Sequence, residues 1–126
     1  MAHHPAFEKL VQRVKEHIQE ISVDEVREKQ TKGEPFAFID IREDHERRKG
    51  FAKGSLHIGR GILERDIEGQ EPNKDTMIVL YCGGGYRSAL AASNLMEMGY
   101  TKVRSMAGGY KAWKLAGYPL ENGKEP

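Results

Sequence analysis

One six-residue segment, residues 82–87, combines a nucleophile with groups that bind anions. It consists of Cys82, Gly83, Gly84, Gly85, Tyr86 and Arg87. Cys82 is the only cysteine of the chain, and a cysteine thiolate is a strong nucleophile. Consecutive glycines allow backbone amides to converge on one atom, and the planar guanidinium of Arg87 suits a small oxyanion. The segment therefore predicts Cys82 as a catalytic nucleophile and residues 83–87 as the site that binds its substrate.

The flanking sequence predicts a strand before this segment and a helix after it. Residues 77–81 form a short apolar run that is typical of a buried strand. From Arg87 to Met98, apolar residues recur at helical spacing. A helix that begins beside Cys82 would bring the partial positive charge of its N-terminus to the sulfur and stabilise a thiolate. A lone cysteine after an apolar strand is commonly a core residue, but core packing does not require three glycines and an arginine.

Three parts of the chain resemble the rhodanese family, whose members are sulfurtransferases that form a persulfide on cysteine. Residues 82–87 resemble the active-site loop of that family, and Asp40, Arg42 and Glu43 resemble its first signature region. A further set resembles its C-terminal signature: Gly108, Gly109, Ala112, Trp113, Gly117 and Pro119. Within that set, we expect the tryptophan to be a core anchor rather than a surface on which substrate stacks.

This resemblance implies two half-reactions and no cofactor. Cys82 takes a sulfane sulfur from a small anionic donor, thiosulfate or a persulfide, and becomes a persulfide. A thiol or cyanide acceptor then removes the sulfur, and a sulfur-relay protein is a further candidate partner. Such a double displacement predicts ping-pong kinetics. Gly83 stands where many family members carry a cationic residue, so we hypothesise that thiosulfate is not the physiological donor.

Two arginines outside the loop are candidate substrate-binding residues, and each has a structural alternative. Arg42 follows a predicted strand, where ligand-binding residues of α/β sheets commonly lie, but a bridge to Asp40 could instead hold the loop. Arg60 lies between two glycines and could add charge at the mouth of the pocket or remain solvated. His57 is predicted to be a structural hydrogen-bonding residue, because sulfur transfer to a thiolate needs no general base.

The alternation of apolar strands with helices predicts an α/β fold with helices on both faces of the sheet. Together with the resemblance, it indicates a rhodanese-like three-layer α/β/α domain over residues 21–120, with a mostly parallel sheet of about five short strands. An apolar stripe over residues 6–21 predicts an extra N-terminal helix. Residues 1–20 are thus expected to be a helical extension, and residues 121–126 a loose C-terminal tail.

Composition narrows the function classes further. The chain has 126 residues, which fits one domain, and its net charge of +1 argues against nucleic-acid binding. No apolar run reaches the length that spans a membrane, and the five histidines lack metal-ligand spacing, so we expect no metal site. A single cysteine excludes an internal disulfide. We therefore expect a cytoplasmic protein that is monomeric or weakly dimeric.

Two other functions remain open on the sequence alone. Dual-specificity phosphatases and arsenate reductases use a similar cradle between cysteine and arginine, with one more intervening residue that widens it for a phosphate-sized group. A non-catalytic binding or regulatory domain of the rhodanese family is the other alternative. Such domains often lose the cysteine, which this chain keeps.

Overall fold

The structure is a computed structural model that describes residues 3–122, which form helices packed on both faces of a parallel sheet. The helices are Pro5–Lys15 (α1), Val23–Thr31 (α2), Asp44–Arg48 (α3), Leu63–Gln70 (α4), Tyr86–Glu97 (α5) and Gly109–Leu115 (α6). The strands are Gln19–Ile21 (β1), Ala37–Asp40 (β2), Phe51–Ala52 (β3), Leu56–His57 (β4), Met77–Tyr81 (β5), Lys102–Met106 (β6) and Leu120–Glu121 (β7). None of these helices has both the length and the apolar character needed to cross a membrane.

Five strands form the main sheet in the order β1-β6-β5-β2-β4, and every neighbouring pair is parallel. This confirms the α/β fold predicted from the sequence. Strand β5 lies at the centre, between β6 and β2. The loop that follows it therefore emerges at the carboxyl edge of the sheet, where open α/β sheets commonly bind ligands.

The side chains of β5 alternate between two hydrophobic layers, as a period of two requires. Ile78 and Leu80 pack with residues of α1, α4 and α5 on one face. Val79 and Tyr81 pack with residues of α2 and α6 on the other face, where Trp113 is fully buried as expected. Both faces of the central strand are thus covered, which explains its continuous apolar sequence.

The N-terminal helix is shorter than the sequence predicts. Helix α1 ends at Lys15, and residues 19–21 form β1, which pairs in parallel with β6. The prediction of one helix over residues 6–21 was therefore wrong at its C-terminal end. Ile18 and Ile21 are both buried, and their spacing of three fits a helical stripe as well as this turn and edge strand. The predicted boundary between residues 20 and 21 lies inside β1.

The C-terminal segment is also more ordered than expected up to residue 121. Strand β7 pairs antiparallel with β3, which places Phe51 opposite Glu121 and Ala52 opposite Leu120. The predicted loose tail, residues 121–126, therefore begins inside strand β7 at Glu121, and its residues 123–126 lie outside the described part of the chain. The small β3–β7 ribbon stands beside α6 and closes that layer of the core.

Candidate active site

Cys82 follows β5 directly, and its sulfur lies at the focus of two backbone amides. The N–H groups of Gly85 and Ser88 donate to Sγ over 3.1 and 3.4 Å respectively. Both donors belong to the turn and first helical turn at the start of α5. The sulfur is therefore buried at the edge of the hydrophobic core, where these two backbone donors face it.

The start of α6 holds the cysteine loop from behind. The N–H of Tyr110 donates to the carbonyl of Cys82 over 2.8 Å, and the N–H of Lys111 donates to the carbonyl of Gly83 over 3.1 Å. A trans peptide points its carbonyl and its N–H in opposite directions, so the amides of Gly83 and Gly84 face away from α6. The α6 N-terminus thus uses its own unpaired donors to fix the orientation of the loop peptides.

Two glycines allow the loop and the α6 turn to approach so closely. A Cβ on Gly109 would lie 2.5 Å from the Cys82 carbonyl oxygen, and this residue has φ +56°. Gly85 has φ +98°, and a Cβ there would lie 3.2 Å from the backbone nitrogen of Gly108. Residues other than glycine rarely adopt such positive φ values. These two glycines are therefore required by backbone contact across the site.

Arg87 is held by a carboxylate that comes from α3. Its Nη1 and Nη2 donate to the two oxygens of Glu46 over 3.0 and 3.1 Å. The hydrogen bond from Arg87 is the main cause that lowers the pKa of Glu46 to about 2. The pKa of Arg87 is raised mainly by Glu46, with burial opposing that shift and the nearby Cys82 adding to it. Both side chains are therefore charged at neutral pH.

A pair of buried hydroxyls lies on the other side of the sulfur. Ser88 Oγ is 3.6 Å from Cys82 Sγ and 2.7 Å from Ser105 Oγ. Both serines are fully buried, and each satisfies the other. Ser88, Ser105 and Glu46 were not among the site residues predicted from the sequence. Of these three, only Ser88 could have been predicted from local sequence, because it directly follows Arg87 and lies in the first turn of the predicted helix.

The two arginines predicted outside the loop are both held in ion pairs. Arg42 is 4% exposed and donates from Nε and Nη2 to both carboxylate oxygens of Asp40, over 2.9 and 2.8 Å. Arg60 donates to both oxygens of Glu64 over 2.8 and 2.7 Å. The contact of Arg42 supports its structural alternative, the bridge to Asp40, whereas the pairing of Arg60 with Glu64 was not predicted from the sequence. His57 has the structural role predicted for it, because its Nε2 donates to the carbonyl of Arg42 over 2.7 Å.

Tyr86, the remaining predicted loop residue, turns towards the N-terminal helix. Its ring stacks on Phe7 at a centroid distance of 5.8 Å and lies 4.2 Å from the ring of His3. The ammonium of Lys15 sits 5.4 Å from the same ring. Helix α1 therefore braces the outer side of the loop at the residue next to Arg87. Within residues 3–122, no group of three or more potential ligand side chains could hold a metal ion.

Comparisons with known proteins agree with this geometry. A family model for the rhodanese-like domain matches residues 22–116. A sulfurtransferase of Allochromatium vinosum is 30% identical over 103 residues, which cover 82% of this chain and 94% of that protein. YrkF of Bacillus subtilis is 31% identical over 96 residues, which cover 76% of this chain but 51% of YrkF. A solved Rhodopseudomonas palustris structure, described as a protein of unknown function and possible tyrosine phosphatase, is 31% identical with TM-score 0.82, covering 96% of this chain and 98% of its own.

Proposed function

Because this chain belongs to the rhodanese-like domain family, we propose that it is a sulfurtransferase that carries a sulfane sulfur on Cys82. The observation that supports this best is the convergence of the Gly85 and Ser88 amides on the Cys82 sulfur, at 3.1 and 3.4 Å. Such donors stabilise a thiolate before the reaction and an anionic terminal sulfur after it. No residue of the site needs to accept a proton for this chemistry.

In the first half-reaction, the Cys82 thiolate attacks the outer sulfur of the donor. A new S–S bond forms to Sγ, while the bond between that outer sulfur and the rest of the donor breaks. Thiosulfate would release sulfite with the bonding electron pair, and a thiol persulfide would release a thiolate. The loop of Gly83, Gly84, Gly85, Tyr86 and Arg87 then surrounds the transferred sulfur with amide dipoles and one guanidinium.

In the second half-reaction, an acceptor attacks the terminal sulfur, and Cys82 leaves as a thiolate. A thiol acceptor becomes a persulfide, and cyanide becomes thiocyanate. The same amides that hold the persulfide receive the returning negative charge on Sγ, so one set of donors serves both steps. A reducing compartment such as the cytoplasm suits this cycle, because a reactive thiolate or persulfide is readily oxidised. A small thiol or a sulfur-relay protein would serve as acceptor there.

Mass spectrometry of the intact protein tests this function. Incubation with thiosulfate, or with a low-molecular-weight thiol persulfide, should add one sulfur atom, about 32 Da, to Cys82. Addition of a thiol should remove that mass and return the reduced protein. Cys82→Ser should gain no mass with either donor. If the unaltered protein gains sulfur from neither donor, the proposed function is contradicted.

Phosphate-ester hydrolysis is the second candidate, because the similar structure from Rhodopseudomonas palustris is described as a possible tyrosine phosphatase. That reaction usually needs an acid to protonate the leaving oxygen. Glu46, which contacts the loop through Arg87, has a pKa of about 2 and is ionised at neutral pH, so it does not provide such an acid. We therefore rank this activity second. Turnover of an aryl phosphate that disappears in Cys82→Ser would support it.

A further inference from the structure

Glu46 occupies the guanidinium fork that would otherwise receive an anionic donor. Its two oxygens accept from Nη1 and Nη2 of Arg87 over 3.0 and 3.1 Å. The same carboxylate accepts from the backbone N–H of Glu43 over 2.9 Å, because it completes the capping box of α3. The carboxylate is thus fixed by its own helix as well as by its partner. An oxyanion could bind both terminal nitrogens of Arg87 only by displacing it.

This ion pair lies beside the first residue of the cradle. A Cβ on Gly83 would be 3.2 Å from Arg87 Nη2 and 4.0 Å from Glu46 Oε1. The side chains of Arg87 and Glu46 are 35% and 26% exposed, respectively. They are therefore partly accessible beside Gly83, the residue that follows Cys82. One positive and one negative charge meet there, and Gly83 adds none.

Charge distinguishes the two classes of sulfane-sulfur donor. Thiosulfate is a dianion whose sulfonate oxygens need cations or hydrogen-bond donors, and a fixed carboxylate repels it. A persulfide group contains no oxygen, and cysteine persulfide, whose carboxylate and ammonium charges offset each other, carries at most one net negative charge. Because the Glu46 carboxylate already compensates the charge of Arg87, the loop favours the persulfide as donor.

We propose that Glu46 is a specificity-determining residue, which selects a thiol persulfide over thiosulfate as the sulfur donor by pairing with Arg87. The proposal rests on the sulfur-transfer function of Cys82. In the selected step, the Cys82 thiolate attacks the terminal sulfur of R–S–SH. The Sγ–S bond forms, the original S–S bond breaks, and R–S⁻ leaves with the electron pair. The persulfide proton passes to water or to the released thiolate, which leaves the terminal sulfur of the Cys82 persulfide anionic.

The test compares loading rates with thiosulfate and with cysteine persulfide in three variants. Glu46→Gln removes the charge, and Glu46→Asp keeps it on a shorter side chain. Asp66→Asn is the matched control, because it removes one carboxylate from an exposed pair with Arg65 on α4. We expect kcat/KM for thiosulfate to rise about tenfold in Glu46→Gln, from the lost repulsion of a dianion. The persulfide value should change by less than about twofold, and the other two variants should keep the original donor ratio.

The possible outcomes separate this proposal from the function on which it rests. An unchanged donor ratio in Glu46→Gln, or an equal shift in Glu46→Asp or Asp66→Asn, would overturn the role of Glu46 while Cys82 still loads. No loading of the unaltered protein by either donor would overturn the function itself.

Salt dependence of the unaltered protein provides a second test that needs no variant. With a compensated arginine, thiosulfate loading should depend little on ionic strength. A steep fall of kcat/KM with added salt would indicate an uncompensated cation at the entrance. That result would also overturn the role of Glu46.

Discussion

Replacement of Gly109 by alanine should distort the cysteine loop, although Gly109 is distant from that loop in the sequence. The new Cβ would lie 2.5 Å from the carbonyl oxygen of Cys82 and 2.9 Å from the carbonyl carbon of Gly83. Both contacts involve backbone, which cannot rotate away as a side chain can. The loop and the α6 turn must therefore separate, and the bonds from Tyr110 and Lys111 to the two carbonyls must lengthen or break.

The cost of this change has two parts. Alanine at φ +56° costs about 1 kcal/mol from the left-handed backbone conformation alone. Weakening two backbone hydrogen bonds adds about 1–3 kcal/mol. Gly117→Ala is a matched control for the first part, because Gly117 has φ +75° with no atom within 4 Å of its added Cβ. We therefore expect a loss of about 2–4 kcal/mol for Gly109→Ala and about 1 kcal/mol for Gly117→Ala.

Urea unfolding, followed by the fluorescence of the buried Trp113, measures the free energy of unfolding of each variant. The rate of persulfide formation on Cys82 measures the effect on the site. Gly109→Ala should load sulfur at least about tenfold more slowly, because the loop amides lose their fixed direction, while Gly117→Ala should load normally. Equal stability losses in the two variants, together with normal loading in both, would refute the role assigned to α6.

Two further predictions concern the groups around the sulfur. Glu46 has a folded pKa of about 2, below its ordinary value of 4.5. Its stabilisation is thus present above pH 4.5 and is lost as the pH falls towards 2. In chemical denaturation, Glu46→Gln should unfold with a free energy about 1–3 kcal/mol lower than the unaltered protein at pH 7, and this difference should vanish in acid. A difference that does not depend on pH would contradict the ion pair. Ser105→Ala should lower the free energy of unfolding by about 1–3 kcal/mol, because the buried Ser88 hydroxyl loses its 2.7 Å partner. The double alanine variant should lose less than the sum of the two single losses; additive losses would contradict the mutual hydrogen bond.

The chemistry of the loop was visible in the sequence because its parts are adjacent. A nucleophile, three glycines and an arginine lie within residues 82–87, and the apolar run before them can form only a buried strand or a short helix segment. The central position of β5 confirms the strand. Of the amides predicted to face the sulfur, those of residues 83–87, that of Gly85 donates to it; the second donor, Ser88, lies one residue beyond the predicted loop.

The partners of the loop could not be predicted, because they come from distant parts of the chain. Glu46 is separated from Arg87 by 41 positions, and a charged residue in a polar helical turn has many possible roles. Gly109 belonged to a recognised pattern, yet its contact with the Cys82 carbonyl is a property of tertiary packing. Local spacing gives no information on which backbone atoms meet across a sheet edge.

The shortest strands could not be predicted for a related reason. Strand β1 has three residues and β3 and β7 have two each, which is too few to establish a period of two. Their strand geometry depends on pairing with β6 and with each other. The apolar residues at 18 and 21 are compatible with either a helix or an edge strand, and only the neighbouring strand decides between them.

The central claim is that the Cys82 sulfur forms a persulfide within the amide cradle. The most direct measurement is peptide mass spectrometry of the donor-treated protein, with fragmentation that locates the added sulfur, before and after addition of a thiol acceptor. We expect one sulfur atom per chain, located on Cys82 and transferred to the acceptor in equal amount. A chain that gains no sulfur at Cys82, or retains it in the presence of every acceptor, would contradict the account.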